Sequence, residues 1–495
     1  MRFSRSAPPQ LAIMVFALVL VGGQVAHADP AAKPVVQRDE VPITTASDEA
    51  RALYLQARDL NEKLRLTDAH GLFERAVSKD KDFALAYLGL AVVAPTTRDF
   101  FAALDHAVTL ADKVSAPERL MIRGLHAGAT GKPKLQGELY TQLVRLYPKD
   151  ERALSLLGAF YFGQQDYKRS IELYTKAIAI NPSFGSPYNI LGYAYRAVEN
   201  YGESEKMFKK YIELIPDDPN PYDSYAELLM KIGQFDASIR SYEKALTLDR
   251  TFVTAYIGIA NDQMFSGRGD DARATLAKLF KIARNDGERR QALEWTAESY
   301  IHDEAWDRAL GEVEKIIAIS ERAHDLAQQA NDLGFKVNVL LEAGRPDDAA
   351  AAIRTQLEVS DRANVPADVK EAAHRNALFD ETRVALAKHD LATAKARASA
   401  YAKQVAAKQI PIELRQQHEL AGRVALAESK PKIAVAELAQ ANQRDPRVLF
   451  LYAVALREAG EAAKARTAAK KVAELNILSL HYGYVRGKAR ALVGS

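Results

Sequence analysis

Cysteine is absent from all 495 residues. That removes disulfides, thiolate metal ligands, a cysteine nucleophile and lipid attachment at an N-terminal cysteine. Other chemistry is missing too. No Gly-x-Ser-x-Gly nucleophile elbow occurs. The ten histidines fall singly, and His418-Glu419 opens like a zinc-protease helix only until Gly422, where the second histidine is required. Charge of one sign is also lacking: the formal net charge is +3, a balance that argues against bulk phosphate binding and therefore against nucleic acid as a partner. No catalytic residue, cofactor or metal is expected.

Long apolar runs are confined to the N-terminus. Arg2 and Arg5 precede an apolar run of 11 residues, Leu11 to Val21, and Ala26-His27-Ala28 supplies a small-x-small cleavage site. The run falls short of the roughly 20 apolar residues that span a bilayer. Residues 1–28 therefore read as a cleaved signal peptide, giving a periplasmic or secreted protein with no stable membrane insertion after cleavage. Residues 29–46, with Pro30, Pro34 and Pro42, read as an extended leader.

What the chain does contain is repetition. Gly124, Gly158 and Gly192 stand 34 apart, as do Pro148, Pro182 and Pro216, and Tyr140, Tyr174, Phe208 and Tyr242. Within residues 151–184, Leu154, Leu157 and Tyr161 share one helical face, and Ile171, Tyr174 and Ile178 share another. The tetrapeptide Gly163-Gln164-Gln165-Asp166 between them allows only an antiparallel hairpin, and Asn181-Pro182 stops the second helix. Residues 117–286 hold five phased units of this kind. Residues 47–116 hold degenerate units, and residues 287–495 hold further degenerate units and a C-terminal cap, with register slips and an insertion near Pro366. One of these outer units starts near Arg375. About twelve units follow in all.

The pattern resembles the tetratricopeptide repeat family, whose units carry large residues at positions 4, 7, 11 and 24, small ones at 8, 20 and 27, and proline at 32. Residues 151–184 supply Leu154, Leu157, Gly158, Tyr161, Ser170, Tyr174, Ala177 and Pro182 at those places. The resemblance implies an all-α fold, a right-handed α-solenoid of helix-turn-helix repeats, and a non-catalytic scaffold. It also implies that first helices line a concave face, through positions 2, 5, 6, 9, 12 and 13 of each unit. Carried onto this chain, those positions nominate Asn189, Tyr193 and Arg196, then Asp223, Glu227 and Met230, then Asn261 and Met264 as partner-binding residues. Amide, carboxylate, aromatic and thioether groups together suit a protein or peptide partner. A carboxylate-clamp pattern known in part of the family is absent, since its places hold Ser155, Ala159, Ile190, Asn220 and Ser224.

Two glycine motifs carry no chemistry. Gly128 to Lys132 lacks the spacing and the hydroxyl of a phosphate loop, and Gly267-Arg268-Gly269 falls at an inter-helix turn rather than after a strand. Two further readings of the function stand beside the scaffold: an accessory subunit of an envelope enzyme or export complex, and a binder of glycan or another polymer. The excess of Lys and Arg after Gly460, including Lys470 and Lys471, is a second candidate contact surface.

Overall fold

The computed structural model describes residues 40–63 and 65–494. The expected signal peptide and the first part of the leader lie outside the described residues. The described chain divides into two compact units. One runs to Leu228 and takes in Lys244–Arg250; the other holds Leu229–Glu243 and everything from Thr251 on. Among the described residues the structure is all-α, with no strand, and it forms the expected solenoid of helical hairpins.

The hairpins begin with Asp48–Glu62 and Leu66–Lys79, then Ala84–Val93 and Thr97–Leu110, and then Ala116–Ala129 and Pro133–Leu146. Glu151–Gly163 pairs with Tyr167–Ile180, Gly185–Ala197 with Tyr201–Leu214, Pro219–Lys231 with Phe235–Leu248, and Val253–Phe265 with Gly269–Ile282. The second helices of five consecutive hairpins thus open at Pro133, Tyr167, Tyr201, Phe235 and Gly269, in the phase read from the sequence. Each turn between paired helices contains one left-handed residue: Gly131, Gln165, Glu199, Gly233 and Gly267. Glycine adopts that conformation freely; Gln165 and Glu199 do so at about 1–2 kcal/mol each.

From Asp286 the helices lengthen. Asp286–His302, Trp306–Arg322, Leu326–Glu342 and Pro346–Arg362 each have 17 residues, against 13 or 14 in the central hairpins. Ile316, Ile319, Val337 and Val339 all enter one continuous buried cluster of this unit. The left-handed turn residues are now Glu304, His324 and Gly344.

The unit expected to start near Arg375 begins earlier. Ala367–Ala387 runs for 21 residues behind Pro366, so the inserted residues extend a helix instead of forming a long loop. Arg375 sits inside it, buried, with a two-pronged contact to Glu413 at 2.9 Å for each bond. Its pair is Leu391–Lys408; then come Pro411–Ala427 with Pro431–Leu438 and Pro446–Glu458 with Ala462–Ala473. That makes twelve hairpins among the described residues, and Gly483–Gly494 follows the last of them.

One contact recurs through the stack. A ring or branched side chain on a second helix lies against the Cα of a small residue on the first. A Cβ added to Gly192 would lie 2.5 Å from Phe208, one added to Gly158 2.8 Å from Tyr174, and one added to Gly422 2.5 Å from Leu438. Those three partners are almost entirely buried, so they have no room to yield. Gly192→Leu is therefore expected to overpack the seam and cost about 1–3 kcal/mol in urea unfolding. Trimming the ring as well, in Gly192→Leu with Phe208→Ala, should recover part of the loss. Additive losses would show that the two side chains do not share this space.

Candidate partner-binding site

Helix Gly185–Ala197 places Asn189, Tyr193 and Arg196 on one face, because they lie four and three residues apart. The neighbouring first helix, Pro219–Lys231, offers Asp223 and Glu227. All five belong to the N-terminal unit. The Tyr193 hydroxyl donates to Glu227 Oε1 at 3.0 Å and lies 3.3 Å from Ser224 Oγ. Arg196 Nη1 donates to Glu227 Oε2 at 3.1 Å and to its main-chain carbonyl at 3.2 Å. The guanidinium also lies 4.7 Å from the centre of the Tyr193 ring, which meets Phe208 edge-on at 5.1 Å. Behind this pair Ser224 bonds Asn220, whose Nδ2 donates to the Tyr211 hydroxyl at 2.8 Å.

These groups are buried: Tyr193 is 4% exposed, Glu227 5%, Asp223 2% and Asn189 6%. Burial and the Glu227 charge push the Tyr193 phenol well above its ordinary range, so it stays a hydrogen-bond donor. A buried carboxylate is tolerable only when it is paired and hydrogen-bonded, and Tyr193 with Arg196 satisfies Glu227 from two sides. Asn189 is different. Among the described residues its Oδ1 has no hydrogen-bond partner, which leaves an acceptor beside a rigid, satisfied cluster. A buried acceptor of that kind calls for an N–H or O–H donor.

The other nominated residues belong to the C-terminal unit and are not brought into an open groove. Met230, Asn261 and Met264 are at most 1% exposed. The Asn261 amide nitrogen donates to the Ile257 carbonyl of its own helix at 2.8 Å. Met264 accepts from the Tyr482 hydroxyl at 3.4 Å, and Phe265 lies 4.8 Å from the Tyr482 ring and 4.5 Å from the Arg486 guanidinium. The segment before the closing helix covers this face, pinned by Gly483 N–H donating to Glu298 at 3.0 Å.

The basic end is thereby divided. Arg486 is buried and Lys488 pairs with Glu342 at 2.9 Å, whereas Lys470 and Lys471 remain exposed.

Sequence reasoning missed the ionic interior of the C-terminal unit. Arg290 is held by Glu294 and Asp332, and Arg447 with His481 holds Asp445. Burial acts against the Asp445 charge, but His481 and Arg447 outweigh it and hold the carboxyl well below its usual range. The sequence did carry a signal. Arg290, Glu294 and Glu298 recur at a spacing of four, which is a polar stripe on a first helix. Among the described residues no group of three or more His, Cys, Asp or Glu is placed to hold a metal ion, and no helix is long and apolar enough to cross a membrane.

Family profiles of the tetratricopeptide repeat match residues 151–184, 186–218 and 229–294. The chain carries tetratricopeptide repeats. No curated protein matches the sequence. Solved structures with a similar fold include yeast Tom70, 12% identical over 77% of this chain and 96% of that one, with a TM-score of 0.49. They also include the MamA protein, 21% identical over 33% of this chain and 89% of that one, with a TM-score of 0.28. A third is YrrB, described as a TPR protein with an unusual peptide-binding site, 19% identical over 37% of this chain and 94% of that one, with a TM-score of 0.26. Similarity at this level concerns the repeat fold and nothing more.

Next to Asn261, Asp262 is fully buried, and burial pushes its carboxyl up to about 8 despite Ser238 and Arg268. A carboxyl raised above its unfolded value binds its proton more tightly when folded. Its contribution to stability is complete below about pH 4 and is lost as the pH rises to about 8. The melting temperature is expected to fall between pH 5 and pH 8, and Asp262→Asn should flatten part of that slope. An unchanged slope in Asp262→Asn would show that this carboxyl does not titrate in that window.

Proposed function

We propose that this protein is an exported, non-catalytic scaffold that binds a segment of another protein at the Asn189–Glu227 site of its N-terminal unit. The observation that carries the reading is the pairing of Tyr193 and Arg196 with Glu227 across two successive first helices, with the Asn189 amide oxygen left unsatisfied beside it. Such a cluster is held in place before any ligand arrives, so little ordering is required on binding. The polymer-binding alternative has less support. Glycan recognition uses flat aromatic faces open to solvent, and Phe265 is buried against the Tyr482 ring.

In affinity capture from envelope extract with the chain from Asp29 on, Asn189→Ala combined with Asp223→Asn and Glu227→Gln should reduce recovery of the bound protein at least ten-fold. The far-ultraviolet spectrum should not change. The single change Asn189→Ala should produce a smaller loss in the same direction. Undiminished capture by both variants would overturn the site. Export is tested separately. The chain should appear in the periplasm or medium with a new N-terminus at Asp29, and a cytoplasmic chain retaining residues 1–28 would contradict it.

A further inference from the structure

Residues 40–46 precede the first helix and run without helical structure along the rim of the N-terminal unit, where one hairpin hands over to the next. Three acidic residues occupy that rim. Asp80 follows Leu66–Lys79, Glu118 lies in the first turn of Ala116–Ala129, and Asp150 caps Glu151–Gly163. Each accepts from the leader. Asp150 Oδ2 takes the Val41 N–H at 2.7 Å, Glu118 takes the Thr44 N–H at 2.7 Å and its hydroxyl at 2.5 Å, and Asp80 takes the Thr45 hydroxyl at 2.5 Å and the Ala46 N–H at 3.0 Å. The leader thus runs opposite to the order of the hairpins. Val41 adds one apolar anchor, packing with the buried cluster of Leu143, Tyr147 and Ala153.

The acceptors do not depend on the leader for their positions. Glu118 also accepts the N–H and hydroxyl of Ser115 at 3.0 and 2.5 Å, and Asp150 accepts the N–H groups of Arg152 and Ala153 at 2.9 and 2.7 Å. Both carboxylates would stay aimed at the rim with the leader gone. The leader is held lightly by comparison, half-buried or exposed at every residue from 40 to 46. Recognition runs through main-chain N–H groups and two hydroxyls, chemistry that any extended segment of similar pattern can supply.

We propose that this rim is a docking track for an extended segment of a partner protein, with an apolar residue followed three and four positions later by hydroxyl residues. The leader is its resident occupant and gives way when that segment binds. The track shares no residue with the Asn189–Glu227 site, so it stands or falls independently of that assignment.

The probe is a fluorescent synthetic peptide of residues 40–47, titrated by anisotropy against the chain from Asp29 on and against the same chain with Val41→Asp and Thr44→Pro. Both changes lie in the extended leader, outside every helix. A tethered occupant competes at high effective concentration. The peptide should therefore bind the leader variant at least ten-fold more tightly than the unmodified chain, and a peptide carrying Thr44→Pro should bind neither. Equal affinity for both chains, no binding to the leader variant, or equal binding of the Thr44→Pro peptide would overturn the proposal. A dimer of the unmodified chain that the leader variant abolishes would overturn it too, by assigning the track to leader exchange between copies.

Discussion

Everything in this fold depends on how closely the two helices of a hairpin approach. The approach is set by a missing side chain on one helix and a bulky one on the other, as at Gly192 against Phe208 and Gly158 against Tyr174. Neither residue does this alone, because a ring without the gap would be pushed out and a gap without the ring would be a cavity. Repeating the contact at constant spacing stacks the hairpins in constant orientation, so first helices lie beside first helices. Side chains such as Tyr193 and Glu227, a repeat apart in sequence, become hydrogen-bonding neighbours. The polar cluster follows from the packing rule.

The central hairpins were legible because their markers are glycine, proline and aromatic residues at fixed intervals. Outside them the markers change while the geometry persists. The left-handed turn position held by Gly131, Gly233 and Gly267 is taken by Glu304 and His389 in two of the longer hairpins, and nothing in those residue types announces a turn. Pro366 was visible as the mark of an insertion, and the inserted residues lengthen the helix that starts behind it.

The site was legible in part. Repeat position placed Asn189, Tyr193, Arg196, Asp223 and Glu227 on adjoining first helices, and the structure bonds Tyr193 and Arg196 directly to Glu227. Position alone cannot say what else covers a face. Met264 and Phe265 occupy equivalent places and lie under Tyr482 and Arg486, a contact more than two hundred residues apart in sequence. Nor does composition reveal that residues 40–46, read only as extended, find acceptors on three separate hairpins. Long-range contacts of this sort depend on how the stack curves, which accumulates from small rotations at each repeat.

The most direct measurement of the scaffold reading is site-specific photo-crosslinking in intact cells from Arg196, the half-buried member of the cluster. With benzoylphenylalanine at that position, the account predicts a covalent adduct to a distinct second protein, diminished when Asn189 is changed to alanine in the same chain. Adducts confined to the chain itself, from a protein whose helical spectrum is intact, would contradict it.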